Sequence, residues 1–161
     1  MGLFVYGTLM QGYHNHKQTF KGLKVSSILK AYVHNAKLYH FEAGYPGLYK
    51  SDNVHHRVFG EWIEFGSTDD VEQALYRTDC LEEYFGPGDP RNLYERESIQ
   101  VHFQDSSAPK LGWIYVCRAD PPRDNQTLPN PANWSEFMEL HQLAEAKEDW
   151  SEAQAMAMKQ Q

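Results

Sequence analysis

The sequence predicts an α+β fold, a small mixed β-barrel with one central helix and a C-terminal helix. Several strand-like segments precede and follow a single amphipathic helical segment, and helices do not alternate with strands as they do in a doubly wound α/β sheet. The 161 residues, 41% of them hydrophobic and 14% aromatic, are enough for one buried core without disulfides. We therefore expect one barrel domain with segments appended to it.

The strands are predicted from runs of β-branched and aromatic residues and from alternation of apolar with polar positions. These extended segments are Leu3–Tyr6, Val25–Phe41, Arg57–Phe65, Leu93–Phe103 and Gly112–Cys117. Gly60 lies inside the third, where a glycine indicates a bulge or the close approach of another backbone. The polar stretch Gln11–Gln18 predicts a loop with room for one helical turn, and Gly44–Gly47 predicts a turn by its composition.

The central helix is predicted from Asp69 to Phe85. Two aspartates in its first turn suit the positive end of the helix dipole, Gly66–Thr68 can cap it, and Gly86–Pro90 ends it. Four prolines within residues 119–132 predict an extended arm, and a second helix follows from Asn133 to about Met158. The expected organisation is a barrel domain over 1–118, the arm over 119–132 and the C-terminal helix over 133–161.

Charge and termini exclude several classes of protein. Fifteen basic against 22 acidic residues give a net charge of −7, which lacks the electrostatic footprint of a nucleic-acid-binding protein and disfavours anionic membranes. No apolar run approaches the ~20 residues that span a bilayer, and the first residues lack the basic region of a signal peptide. Cys80 and Cys117 do not form a disulfide framework. We expect a cytoplasmic protein that binds neither nucleic acid nor membrane.

One carboxylate of the central helix lies on its apolar face. At ~100° per residue the apolar side chains gather on one side, and Glu82 falls among them because it follows Leu75 by seven residues and Thr78 by four. Glu83 points away from that side and is expected to be solvated. Glu82 is expected to point toward the core or a cavity in it.

A buried carboxylate loses its hydration, so Glu82 needs a partner or a use. It can pair with an arginine such as Arg57 or Arg96, or accept bonds from backbone N–H groups. It can equally be a proton-transfer group in a dry pocket. The helical pattern by itself leaves both interpretations open.

Six stretches in register resemble the γ-glutamylcyclotransferase-like family, also called the AIG2-like family. They are Leu3-Phe4-Val5-Tyr6-Gly7-Thr8-Leu9-Met10, Tyr45-Pro46-Gly47-Leu48, Val58-Phe59-Gly60-Glu61, Asp79-Cys80-Leu81-Glu82, Leu93-Tyr94-Glu95-Arg96 and Ile114-Tyr115-Val116. No single stretch is specific, but their order and spacing together are. The resemblance runs from about Leu3 to about Arg118, so the arm and the final helix lie outside it.

The resemblance implies a small barrel with a pocket at one end and a small-molecule γ-glutamyl substrate. The loop that binds the γ-glutamyl group in this family corresponds here to Tyr6, Gly7, Thr8 and Leu9. A glycine lets the backbone come close to a ligand, and turn amides can hold a carboxylate or carbonyl oxygen. The family's acid/base glutamate aligns with Glu82, the residue that the helical pattern also singles out. Tyr115 is a further candidate for substrate binding, as a pocket wall or hydroxyl donor, as is Tyr94.

The implied reaction is intramolecular. The α-amino group of a γ-glutamyl amide attacks the amide carbonyl and closes 5-oxoproline, and an amine leaves; holding the folded conformer supplies much of the rate. Glu82 takes and returns the proton, and neither a metal nor an organic cofactor is required. The sequence departs from the family at two places: Thr78 precedes Asp79 where the family often has leucine, and Glu83 stands where the family has glycine.

Two other chemistries have some support in the sequence. A metal hydrolase is suggested by His14 and His16 and by the adjacent His55 and His56, but no third ligand lies at metal spacing. The two cysteines lack the surroundings of a nucleophile.

The non-enzymatic alternative is a ligand-binding or interaction module on the same fold. The C-terminal helix bears on it, because its stripe of Trp134, Phe137 and Met138 can pack on the barrel or on a second subunit, which leaves a homodimer open.

Overall fold

The computed structural model describes residues 1–121 and 127–143. Its strands are β1 (Leu3–Val5), β2 (Val25–His34), β3 (Ala36–Phe41), β4 (Tyr45–Lys50), β5 (Arg57–Phe65), β6 (Tyr94–Phe103) and β7 (Lys110–Cys117). Its helices are α1 (His14–Thr19), α2 (Thr68–Leu81) and α3 (Trp134–Leu140). Among these residues, no helix is both long enough and apolar enough to cross a membrane.

Five strands close a barrel in the order β1-β5-β2-β6-β7, so the predicted mixed barrel is confirmed. The pairs are antiparallel except at the seam, where β1 runs parallel to β7 with Leu3 opposite Trp113. Strands β3 and β4 form a separate two-stranded sheet. The barrel is filled by fully buried side chains, among them Phe4, Trp62, Ile63, Val101 and Ile114.

Gly60 marks a close backbone approach, as its position inside a strand predicts. A Cβ at residue 60 would collide with the carbonyl oxygen of Val5 on β1. Strands β1 and β5 can therefore approach this closely only because residue 60 has no side chain.

The turn predicted at Gly44–Gly47 is largely wrong. The chain turns over residues 42–44, where Gly44 has a φ of +93° and its N–H donates to Phe41 O at 2.9 Å. Tyr45, Pro46 and Gly47 begin β4, which pairs with β3. Glycine and proline composition predicts a turn, but an outer strand of a small sheet tolerates a proline because one edge needs no N–H donor.

The described part of the arm is bonded to the sheets. Leu128 N–H donates to Leu38 O, Ala132 N–H donates to Arg57 O, and Phe59 N–H returns a bond to Ala132 O. Residues 127–132 therefore extend the β3 and β5 edges. The division of the chain into a barrel domain, an arm and a helix stays a prediction.

Helix α3 begins where predicted and ends early. Asn133 is its N-cap, with the side-chain oxygen accepting the Glu136 N–H, but the helix ends at Leu140. The prediction to Met158 is thus wrong for the residues just after Leu140, and from residue 144 on it lies outside the described residues. The start of the apolar stripe packs within its own chain: Trp134 and Met138 are buried, and the Trp134 ring lies 5.3 Å from that of Tyr13, the N-cap residue of α1.

Candidate active site

A tight turn follows β1. The N–H of Met10 donates to Gly7 O at 2.9 Å, so Thr8 and Leu9 are the two central residues of a four-residue turn. Gly7 is buried against β4, since a Cβ there would lie 2.5 Å from Pro46 Cγ. A glycine is therefore required for the turn to sit this close to the hairpin.

Helix α1 anchors this turn by donating hydrogen bonds to the oxygen atoms of the turn. His16 donates its backbone N–H to Thr8 O at 3.2 Å and its Nδ1 proton to Leu9 O at 2.7 Å, and Asn15 Nδ2 donates to Thr8 Oγ1 at 3.0 Å. Within residues 1–121 and 127–143, no backbone carbonyl accepts the N–H of Thr8 or Leu9. The turn thus has its oxygens held by α1, while these two N–H groups make no backbone bond.

Two buried tyrosines line the same end of the barrel. The Tyr6 hydroxyl donates to Tyr115 O at 2.6 Å, and the Tyr94 hydroxyl donates to Pro46 O at 3.1 Å. Burial raises the pKa of both hydroxyls well above the ordinary tyrosine value, and the charge of Glu82 raises both further. These hydroxyls are neutral donors at any physiological pH.

Glu82 lies at the end of α2. It is the C-cap residue, with its N–H bonded to Thr78 O at 2.8 Å, and its side chain is half-buried. The same helix end is linked to the start of the Gly7–Leu9 turn through Tyr115, whose hydroxyl lies 2.6 Å from Thr78 Oγ1 and whose backbone carbonyl accepts the Tyr6 hydroxyl. One barrel residue thus bonds to the helix end that precedes the candidate acid/base residue and to the residue that leads into the candidate substrate loop, which lie more than 70 positions apart in sequence.

The end of α2 differs from the prediction. The helix ends at Leu81 rather than Phe85, and Glu83 has a left-handed backbone with a φ of +52°. Tyr84 N–H donates to Asp79 O at 2.8 Å and Glu83 N–H to Cys80 O at 3.3 Å, which together form a Schellman motif. The left-handed position that Glu83 occupies is usually taken by glycine, which has no Cβ. The helical pattern no longer applies there, so Glu83 is half-buried rather than solvated.

Asp79 joins this helix end to two strands. Arg96 Nη1 donates to both of its oxygens, at 3.0 and 2.7 Å, and the Tyr115 hydroxyl donates to Oδ1 at 2.6 Å. The Tyr115 oxygen also lies 2.6 Å from Thr78 Oγ1. Burial raises the pKa of Asp79, and the bonds from Tyr115 and Arg96 act against that rise.

The arginines offered as partners for Glu82 have other contacts. Arg96 binds Asp79, and the Arg57 guanidinium lies 5.8 and 5.7 Å from the ring centres of Tyr32 and Phe59. The hydroxyl of Tyr115, predicted to bind substrate, meets Thr78 and Asp79 inside the protein. Sequence reasoning missed the contacts of Asp79, although a carboxylate three residues before Glu82 in the predicted helix was a usable signal.

The rival chemistries find little support. Among residues 1–121 and 127–143, no group of three or more His, Cys, Asp or Glu side chains is arranged to hold a metal ion. His16 anchors the turn, and His56 Nδ1 lies 2.6 Å from Ser51 Oγ. Burial and the charge of Asp79 raise the pKa of Cys80, which disfavours a thiolate nucleophile.

The sequence matches a known family over most of its length. The family model described as "Gamma-glutamyl cyclotransferase, AIG2-like" matches residues 3–136, past Arg118 where the sequence motifs stop. A Niallia circulans protein described as "Gamma-L-glutamyl-butirosin B gamma-glutamyl cyclotransferase" is 39% identical over 140 residues, which cover 86% of this chain and 78% of that protein.

Solved structures share the fold. An AIG2-like protein from Mus musculus superposes with a TM-score of 0.69 at 23% identity, over 92% of this chain and 96% of the mouse chain. YkqA from Bacillus subtilis gives a TM-score of 0.58 at 17% identity; 88% of this chain is covered, but only 43% of YkqA. The match of the family model over most of the chain and the similarity to the Niallia circulans enzyme settle the classification: this chain belongs to the γ-glutamyl cyclotransferase, AIG2-like family.

Proposed function

We propose that this chain converts the γ-glutamyl group of an amide into 5-oxoproline and releases the amine, with Glu82 as the general acid/base. The observation that carries the proposal is that Tyr115 bonds both to the helix end that precedes Glu82 and to Tyr6, at the start of a turn whose Thr8 and Leu9 N–H groups bind no backbone carbonyl among the described residues. Family membership supports the same reaction and disfavours a non-catalytic binding module.

The turn is suited to bind the γ-glutamyl group. The N–H groups of Thr8 and Leu9 can donate to a carboxylate or carbonyl oxygen, and Gly7 lets the backbone approach it. If these donors meet the γ-carbonyl, they stabilise the negative charge that develops on its oxygen during attack. Tyr6 and Tyr94 then form an apolar wall with neutral hydroxyls.

Glu82 serves both nitrogens of the reaction. The carboxylate first takes a proton from the α-ammonium group, whose nitrogen then attacks the γ-carbonyl carbon and closes the five-membered ring. The protonated Glu82 next donates to the departing nitrogen as the C–N bond breaks. The ring nitrogen loses its second proton through Glu82, and this proton ends on the released amine. The products are 5-oxoproline and a protonated amine, so atoms and charge balance.

The leaving group is the open part of the proposal. The Niallia circulans relative is described as acting on γ-L-glutamyl-butirosin B, so amines are the first leaving groups to test here. γ-Glutamyl amino acids and glutathione carry the same glutamyl head and complete the panel.

The experiment is direct detection of 5-oxoproline. The protein is incubated with γ-L-glutamyl-butirosin B, γ-glutamyl alkylamines, γ-glutamyl dipeptides and glutathione in parallel, and the released amine is quantified beside the lactam. We expect stoichiometric release with at least one member. The absence of product from all of them, together with a saturable thermal shift, would instead indicate a binding module.

A further inference from the structure

The last turn of α2 positions the backbone that carries the Glu82 carboxylate. Glu82 follows the final helical residue, so no regular helix continues beyond it to fix its direction. Its N–H donates to Thr78 O, and the Tyr84 N–H closes the turn on Asp79 O, both at 2.8 Å. The position of Glu82 therefore depends on how residues 78 and 79 are held.

A cross-strand pair of the barrel holds them. Arg96 of β6 and Tyr115 of β7 are register partners and lie side by side on one face. Both reach Asp79, Arg96 Nη1 at 2.7 Å and the Tyr115 hydroxyl at 2.6 Å, and that hydroxyl also contacts the fully buried Thr78. Asp79 is therefore the residue through which β6 and β7 bind the end of α2.

Tyr115 also contacts the other half of the site. Its backbone carbonyl accepts the Tyr6 hydroxyl at 2.6 Å, just before the Gly7–Leu9 turn. One barrel residue thus bonds to the substrate loop through its carbonyl and to the helix end through its hydroxyl. Because different atoms make the two contacts, phenylalanine at position 115 would remove the helix contact and keep the loop contact.

We infer that Asp79, held by Tyr115 and Arg96, is a positioning residue that directs the Glu82 carboxylate toward the bound γ-glutamyl group; this inference rests on the proposed function. Asp79 does not exchange a proton with substrate. Its effect is geometric, and a displacement of about 1 Å in a reacting group can cost about 100-fold in rate. Substrate binding is left largely intact, because His16 and Asn15 anchor the loop independently.

The test compares Tyr115→Phe and Asp79→Asn with wild type on whichever γ-glutamyl amide the wild-type enzyme cleaves. We expect kcat to fall by up to about 100-fold with KM unchanged, and the affinity for 5-oxoproline, measured by calorimetry, to stay at the wild-type value. Amide hydrogen exchange at Glu82 and Tyr84 should become faster, because their acceptors at residues 78 and 79 are no longer held.

Tyr13→Phe is the matched control. It also removes one tyrosine hydroxyl bond between elements, the 2.8 Å contact with Ser135 Oγ, but it does not touch α2. Its kcat and its exchange at Glu82 should match the wild type.

The outcomes separate the two claims. Wild-type kcat in both variants would overturn the positioning role, as would a parallel loss of kcat, substrate affinity and 5-oxoproline affinity, which indicates a merely structural contact. If Asp79→Asn does not fold, Tyr115→Phe alone decides. A wild-type protein that releases no 5-oxoproline contradicts the proposed function before any variant is made, and this inference with it.

Discussion

The two ends of helix α2 are built on opposite principles. At the first end Ser67 is extended, its side chain accepts the Asp70 N–H at 3.1 Å, and two aspartates lie in the first turn. At the last end a non-glycine residue, Glu83, takes a left-handed backbone and donates its N–H to Cys80 O. The first end follows local preference, whereas the second is held against local preference by contacts with the barrel.

The difference between the two helix ends indicates which of them belongs to the candidate active site. Backbone conformations that a residue disfavours persist only when the surrounding structure holds them, and they are common at functional sites. The end of α2 that carries the candidate acid/base residue is the end that depends on tertiary contacts. Substitutions at the two ends should therefore change different properties.

The largest effect is expected at Glu82. Glu82→Gln keeps the size of the side chain but cannot take a proton, so 5-oxoproline formation should fall by about 10²- to 10⁴-fold while Tm stays near the wild-type value. Glu72→Gln is the matched control on the same helix, because Glu72 is exposed and should be silent. A folded Glu82→Gln protein with full activity would remove Glu82 from the mechanism.

Relief of the strained turn should stabilise the protein. A left-handed backbone costs a non-glycine residue about 1–2 kcal/mol. Glycine avoids this steric cost, but it loses more conformational entropy on folding, which offsets part of the gain. We expect Glu83→Gly to raise the free energy of unfolding by about 1 kcal/mol, close to 3 °C in Tm. Glu83→Ala removes the charge but keeps the Cβ, so it should give no such gain; equal stabilisation by both variants would assign the effect to charge instead.

Loss of the cap at the other end should have the opposite sign. Ser67→Ala removes the acceptor of the Asp70 N–H and should lower the free energy of unfolding by about 1 kcal/mol. Because the cap lies at the other end of the helix from Glu82, kcat should not change, and Ser67→Thr should keep most of the stability, since a threonine hydroxyl can accept the Asp70 N–H and donate to the Asp70 carboxylate as serine does. Chemical denaturation beside the activity assay checks both, and a drop in kcat would show that the two ends are coupled.

The smallest effect is a pH dependence carried by Asp79. Burial raises the pKa of this carboxyl, so the folded protein binds its proton more readily than the unfolded chain does. The stability of wild type relative to Asp79→Asn should therefore rise as pH falls through the raised pKa and level off below the ordinary aspartate value. Denaturant midpoints across this acidic range measure it, and a difference that instead shrinks with falling pH would indicate that Arg96 and Tyr115 outweigh burial.

Much of the fold could be predicted from the sequence because its signals are local. Strand β5 runs from Arg57 to Phe65 as predicted, and the capping signal before Asp69 places the start of α2 to within a residue. The errors lie where tertiary packing overrides composition. Tyr45-Pro46-Gly47 became a strand because β3 pairs with it, and α2 stopped at Leu81 without a glycine because the barrel holds the turn that follows.

The sequence by itself predicted which carboxylate of the helical segment is unusual and that a tight turn follows the first strand. The spacing of 3.6 residues per turn placed Glu82 with Leu75 and Thr78, and the strand–glycine junction after Val5 indicated a tight turn at Gly7. Only the tertiary structure decided the surroundings of these residues: Tyr115 bonded to both Tyr6 and Thr78, and Arg96 and Tyr115 bonded to Asp79. The physical reason is that these partners meet through barrel closure and through the register of β6 against β7, which are pairings between residues far apart in sequence that no local pattern records.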